Sequence, residues 1–426
     1  MSEVGLWPGI VSDTYSTPNL SKNTIIKKQF LFNEANKISN ADLKKDLPFP
    51  FATLKCHKNP KKFRYIISSS QSQTKPLAQA ITKCLKLCQV QHKAYCKALQ
   101  NYTGINRFWI IENNQPILDK IEKINAKVGA ESVETFDFST LYTKITHETL
   151  KKSLGWFIST AFSGASSRGQ NTISVYSFNA KWVKTPRGST LAFDCNKLQN
   201  LINFLIDNTF FSVGEKIVKQ NIGLPMGTDP APYMANAHLY FYEFKFQELQ
   251  TKQNYSLAKS LNNTFRYIDD VTPLNDKGNF SKYYKDIYPS DLLLSKENEG
   301  TKEAAVLDVY LQVNDGKYLT RVFDKTDSFN FSINKYPSLS SNVPNKILYE
   351  VFYSQILRPL KICNNVDAFI ERVVVIFNIC VRRGASPSKL IQKLKKYFRN
   401  HDFSKFNLSK NDLNTALVDK LWSLSG

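Results

Sequence analysis

From Thr74 to Leu99 apolar residues return every third or fourth position, which predicts an amphipathic helix. The same period marks PILDKIEKINAK, the stretch Leu198 to Phe211, and a segment from about Tyr233 to Leu249. Elsewhere the period shortens toward two. Two strand-like runs, Phe51 to Cys56 and Phe63 to Ser69, flank a basic turn containing Asn59 and Pro60, and ETFDFS around Asp137 also reads as a strand. FRYIDDV and a meander ending in VLDVYLQVNDGKYLTRVFD complete the β signal. Between Ser163 and Ser189 the Ser, Gly, Asn and Lys content predicts an irregular loop with room for a short hairpin. The first 45 or so residues are polar and weakly periodic and read as an extension or the remnant of something longer. From Pro344 the chain reads as helices, with basic stretches such as KLIQKLKKYFRNH. There is no internal repeat and no long low-complexity tract.

Composition narrows what this mixture of helices and strands can serve. The chain has 426 residues, 57 Lys plus Arg against 36 Asp plus Glu, and a formal charge of +21. A charge of that size implies a polyanionic partner, nucleic acid first, because phosphate neutralisation with counterion release supplies most non-specific affinity. An anionic membrane surface is the alternative, but no apolar run is long enough to span a bilayer and no lipidation signature is present. The start, MSEVGLWPGI, lacks the basic and apolar regions of a signal peptide, so an intracellular location, nucleus or cytoplasm, is expected. Seven cysteines, few and odd in number, agree with a reducing compartment. Cys84, Cys88, His92 and Cys96 share one helix face. Their ends would lie about 18 Å apart at ~1.5 Å per residue, too far for one tetrahedral ion, so they read as a semi-buried helix face.

The acids within strands carry the chemistry. Aspartate is a poor strand former, and neighbouring strand residues point to opposite faces. Asp269 and Asp270 can therefore share one spot only if the chain turns between them, as in a tight hairpin. Like charges about 4 Å apart repel by roughly 4 kcal/mol at an effective dielectric of ~20. A divalent metal is one reason to tolerate that. The solvated end of a strand, before the polar turn Pro273, Asn275, Asp276 and Gly278, is the other. Asp137, flanked by Phe136 and Phe138, adds a second acid-bearing strand, and the turn Gly223-Leu224-Pro225-Met226-Gly227 opens a helix where missing side chains allow close approach to a ligand or template strand.

In order, Asp137-x4-Tyr142, GLPMGTDPAP and Tyr267-Ile268-Asp269-Asp270 resemble motifs A, B and C of reverse transcriptases. Upstream, Leu54-Lys55-x-His57-Lys58 and Phe63-Arg64-Tyr65-Ile66 resemble fingers motifs 1 and 2, most like those of Penelope-like retroelements and related invertebrate elements. Val306-Leu307-Asp308-Val309 is similar to a recurring element after the palm of those relatives. Two departures stand out: relatives usually read Arg-Pro-Ile where this chain has Arg64-Tyr65-Ile66, and many carry Gln where it has Met226.

The resemblance implies an α+β right-hand polymerase: an N-terminal extension over 1–48, fingers over 49–135, an antiparallel-sheet palm over 136–318 with an insertion at 155–220, and a mainly helical thumb over 319–426. It implies RNA-directed DNA synthesis with two Mg²⁺ or Mn²⁺ ions held by Asp137, Asp269 and Asp270. Lys55 and Arg64 would neutralise the incoming triphosphate, with Tyr142 and Gly227 also at the nucleotide and Tyr142 under its sugar. Gly223, Pro225 and the basic helix bearing Lys389, Lys393, Lys395 and Lys396 would contact template and primer. Lys296 reads first as a solvent-facing lysine in a polar loop, with a general acid as the weaker alternative, and stays outside the catalytic set. The partners implied are an RNA template, a DNA primer and deoxynucleoside triphosphates, with no membrane. No nuclease motif accompanies them, so insertion would need a separate endonuclease or a free 3′ end. Two rivals share the scaffold: an inactive nucleic-acid-binding remnant, and an RNA-dependent RNA polymerase or terminal transferase.

Overall fold

The computed structural model describes residues 13–38, 45–55, 61–127, 129–188, 190–331, 333–406 and 408–423. The turn expected at Asn59 and Pro60, with His57 and Lys58, lies outside them. The architecture is mixed helix and antiparallel sheet, in two compact units. One comprises residues up to 110, 136–271 and 278–295. The other comprises 111–135, 272–277 and 296 onward.

The first unit is built on the helix Lys75–Thr103, which packs against helices His147–Ser166, Cys195–Asp207 and Ala231–Gln253. Its Cys84, Cys88, His92 and Cys96 are fully buried rather than semi-buried, because three further helices cover that face. The His92 Nε2 donates to the Phe157 carbonyl at 2.7 Å, its Nδ1 accepts from the Tyr240 hydroxyl at 3.3 Å, and that hydroxyl lies 3.1 Å from the Cys96 thiol. The chain of donors consumes both ring nitrogens in the neutral form. Burial accordingly lowers the His92 pKa to about 4, and that of His238 to about 4 as well.

These two histidines make stability depend on pH. Each binds its proton in the unfolded chain near the usual value of about 6.5 but not in the fold until about 4. Between those limits the unfolded state holds more protons, so stability falls as pH drops from about 6.5 toward 4. The melting temperature should decline across that window, and His92→Gln with His238→Gln should flatten the decline. A wild-type slope retained in the double variant would remove the histidines as its cause.

Several segments differ from the sequence reading. In the 163–189 stretch the short hairpin is present, Thr172–Val175 with Ala180–Val183, but the helix before it runs to Ser166 and Leu191–Phe193 adds a third antiparallel strand that the loop reading lacked. The helix expected to reach Phe211 ends at Asp207. Asn208 bonds back to the Phe204 carbonyl, and Phe210–Val213 then pairs with Lys216–Gln220. The weakly periodic start contains a helix, Lys22–Ala35, that buries Ile25 and Ile26 with Leu47 and Phe210.

In the second unit, strands Glu303–Val306, Val309–Asn314 and Lys317–Val322 form the expected meander. Asn125 on helix Gln115–Lys127 bonds both backbone groups of Tyr318, at 2.9 and 2.8 Å. Helices Lys346–Gln355, Leu357–Ile362, Val366–Arg382, Pro387–Asn400 and Lys410–Ser423 enclose a separate apolar core centred on Phe352, Phe369, Phe377 and Tyr397. Among the described residues no helix is long and apolar enough to cross a membrane.

Candidate active site

The sheet at the centre of the first unit has the strand order Thr264–Tyr267, Asp270–Pro273, Phe136–Phe138, Leu294–Lys296. The first two strands are joined by only Ile268 and Asp269, the tight hairpin that the paired acids required. Ile268 sits at φ +55°, a conformation costly for a β-branched residue and normally given to glycine at the first position of such a turn. Asp270 begins the return strand directly opposite Asp137, with Val271 opposite Phe136. The Asp269 carbonyl accepts from the Phe138 amide at 3.1 Å. Phe136 and Phe138 turn inward, leaving Asp137 half-exposed between them.

Turn and register together place carboxylate oxygens of Asp137, Asp269 and Asp270 within 4.8 Å of one another. Cross-strand partners of like charge destabilise a sheet. An all-oxygen donor set at this spacing is what Mg²⁺ or Mn²⁺ requires. The residues present therefore fit a hard divalent cation. Among the described residues this is the one acid, histidine or cysteine cluster with such spacing.

Tyr142 lies on the short helix Leu141–Lys144, half-buried against the main core. Burial pushes its hydroxyl pKa well up, and the nearby Asp269 charge pushes the same way, so ring and acid share one neighbourhood. Its carbonyl accepts from the Leu224 amide at 2.8 Å, which ties it to the Gly223–Gly227 turn. Both glycines are obligatory on steric grounds. Gly223 has φ +90°, and an added Cβ would collide with the Tyr142 carbonyl. Gly227 has φ +103°, and an added Cβ would collide with the Ile67 carbonyl. The Ile67 amide also donates to the Met226 carbonyl at 2.7 Å, so the turn is stitched to the hairpin Phe49–Lys55/Lys62–Ser68. Pro225 lies between the two glycines.

On that hairpin Arg64 pairs with Thr53, and Lys55 with position 62. Lys55 and Arg64 therefore lie diagonally on one face, with Arg64 exposed. In the second unit, Lys389, Lys395 and Lys396 are exposed on helix Pro387–Asn400, whose other face buries Leu390, Ile391, Leu394, Tyr397 and Phe398. Lys393 differs, being ion-paired with Glu350, whose pKa it lowers. Lys296 is ion-paired with the buried Glu134 rather than simply solvent-facing. Asp308 sits in a two-residue hairpin turn, binding Arg358 at 2.9 Å and the Asn114 amide.

The sequence reading missed a group beneath the hairpin. Arg266 and Glu243 are completely buried and ion-paired. Arg266 Nη1 donates to the Asn236 side chain at 2.7 Å and to the Ile268 carbonyl at 3.0 Å; Nη2 reaches the Asn236 carbonyl and Glu243 Oε2, both at 3.2 Å. With Nε on Glu243, all five guanidinium hydrogens are used. The Tyr288 hydroxyl donates to Glu243 Oε1 at 2.8 Å. The cluster thus holds the strained residue of the acidic turn by its carbonyl.

Over 88% of its length this chain matches a solved structure of telomerase from Candida albicans in complex with a TWJ fragment of telomeric RNA, at a TM-score of 0.51 and 10% identity. It spans 63% of that chain. Apo telomerase from Candida tropicalis matches at a TM-score of 0.45 and 13% identity, over 93% of this chain and 67% of the other. The fold is shared with a telomerase. No family model matches the sequence, and no curated protein matches it.

Proposed function

We propose that the chain is an RNA-directed DNA polymerase of a retroelement, most like the Penelope-like elements. It works as a right hand with fingers over 49–135, a palm over 136–318 carrying an insertion at 155–220, and a thumb over 319–426. The observation that carries this reading is the convergence of Asp137, Asp269 and Asp270 from a strand and a strained hairpin. Two divalent ions held there would supply positive charge to the attacking 3′-hydroxyl and the departing pyrophosphate oxygen. The chain's own groups do the rest. Asp137 and Asp269 fix the ions, and Asp270 adds field and shares the site. Arg64 offers a fork, and Lys55 a point charge, to the triphosphate of the incoming deoxynucleotide. Gly227 lies beside it, its missing side chain admitting the Ile67 carbonyl of the fingers hairpin. Gly223 and Pro225 lie against the template, and Lys389, Lys395 and Lys396 against the backbone of primer and template, with Lys393 joining only if released from Glu350. A separate endonuclease or a free 3′ end provides the primer.

Primer extension on RNA and DNA templates tests the reading, and Tyr142 sharpens it. If its ring stands under the sugar, Tyr142→Ala raises ribonucleotide use relative to deoxynucleotide use, because the obstacle to a 2′-hydroxyl is steric. The measurement is the ratio of single-nucleotide incorporation efficiencies in the two proteins. If Tyr142 only packs the core, stability and all activity fall together and the ratio is unchanged. A wild-type preference for ribonucleotides would turn the reading to an RNA polymerase, and no extension at all would leave the binding-only remnant.

A further inference from the structure

The helix Lys75–Thr103 contains five lysines and no acidic residue. One side is the buried face already described. On another, Lys83, Lys86, Val90, Lys93 and Lys97 follow at alternating steps of three and four, which sets them in one stripe along the axis. Lys86, Lys93 and Lys97 are exposed, and Val90 is 61% exposed. Residues 167–193 add four basic residues and again no acid.

The hairpin of strands Thr172–Val175 and Ala180–Val183 is fastened beside this stripe. Lys83 Nζ donates to the Tyr176 and Ser177 carbonyls at 2.9 and 2.8 Å, and the Tyr176 amide closes the turn on the Asn179 carbonyl at 2.8 Å. At the tip Phe178 is 96% exposed, and Tyr176 carries the Lys181 ammonium 5.9 Å from its ring centre. Between helix and hairpin runs an open groove of about 420 Å³, lined by Lys83, Lys86, Val90, Phe178 and Asn179 among others. Its one acid, Asp229, is paired with Lys75 at 2.8 Å.

A free aromatic ring beside a line of positive charge is the combination that single-stranded nucleic acid uses: bases stack on the ring, and phosphates follow the charges. The charge forms a line of one sign along a helix, which suits a phosphate backbone. We propose that this groove binds unpaired RNA, the single-stranded part of the template outside the acidic site. That the RNA is template rests on the polymerase reading above; that the groove binds RNA does not.

Binding is measured by fluorescence anisotropy on a labelled single-stranded RNA of roughly 16 nucleotides, the upper end of single-strand site sizes. Phe178→Ala should weaken binding about fivefold or more. Lys86→Glu with Lys93→Glu should weaken it too, and reduce the slope of log K against log salt by about 1.4, at ~0.7 for each phosphate contact on a single strand. Both variants should extend a primer normally on a template with a one-nucleotide overhang, yet add fewer nucleotides per binding event on a long one. Wild-type RNA affinity in both variants overturns the proposal, which is also what a groove for an acidic protein segment predicts. A larger loss on duplex than on single strands, or wild-type preference for the matching DNA strand, overturns it too. Groove-dependent RNA binding by a wild-type protein that extends nothing would sustain this inference while removing the polymerase.

Discussion

Asp137→Asn is expected to melt at a higher temperature than the wild type without metal, and to add nucleotides at least about a thousandfold more slowly with it. The first half follows from the register: Asp137 faces Asp270 directly, with Asp269 delivered by the turn, all within 4.8 Å. Each like-charged pair at that distance costs about 3 kcal/mol at an effective dielectric of ~20, cut to about 1 kcal/mol by the solvent that half-exposed carboxylates keep. Neutralising Asp137 relieves two such pairs, about 2 kcal/mol, which in a chain of this size should raise the metal-free melting temperature by roughly 2 to 4 °C. The second half follows from what is lost. Removing an oxygen ligand forfeits several kcal/mol of charge stabilisation in the transition state, and about 1.4 kcal/mol is tenfold in rate. Mn²⁺ should raise the wild-type melting temperature and leave the variant nearly unmoved. A solvated strand end predicts the opposite: no change in activity and no metal response in either protein. Calorimetry with and without Mn²⁺, beside single-nucleotide addition, decides between them.

That site was legible because its chemistry contradicts its surroundings. An aspartate between two phenylalanines, and a pair of aspartates closing an aromatic strand, are poor choices for a sheet unless something holds them. The turn was legible for a related reason: Gly223 and Gly227 occupy conformations and spaces that no other residue fits. Elements whose buried positions are polar were not legible. Helix Lys22–Ala35 buries Ile25, Ile26, Gln29 and Asn33 at helical spacing. Two of those four bury an amide that bonds backbone carbonyls, Asn33 to Gln73 at 2.7 Å and Gln29 to Asn208 at 3.3 Å, so the apolar period vanishes. Of the 172–193 sheet only the hairpin was legible; its third strand was hidden in a serine- and lysine-rich stretch, since only Ile173, Ser174 and Phe193 are buried among the strand residues. Phe210 and Phe211 continued an apolar helical pattern, and only their pairing with Lys219 and Val218 ended it. Arg266 did leave a signal. A cation within FRYI and an anion within FYEF are each flanked by apolar or aromatic residues, and two such misfits of opposite sign are candidates for one another.

Their pairing leads to the second large effect. Arg266→Met alone should destabilise the protein by about 3 to 5 kcal/mol, because it strands the Glu243 carboxylate in a dry core, and the lost activity would then say nothing about the turn. The informative protein is Arg266→Met with Glu243→Leu, which removes both charges and keeps the volume apolar. Replacing a buried ion pair this way is often neutral for stability, so its melting temperature should stand well above that of the single variant. Its activity should not recover. The Ile268 carbonyl would have lost the Nη1 donor that lies 3.0 Å away, and a turn at φ +55° on a β-branched residue carries about 1 to 3 kcal/mol of strain that its surroundings must hold. Released, the turn shifts Asp269 relative to Asp137 and Asp270, and a displacement of about 1 Å near reacting groups costs roughly a hundredfold. Because the defect lies in ligand placement, the Mg²⁺ concentration for half-maximal extension should rise while RNA affinity stays at the wild-type level. A purely structural role for Arg266 predicts otherwise: activity and metal requirement would return with stability in the double variant. That result would leave the strained turn to be held by its own backbone bonds.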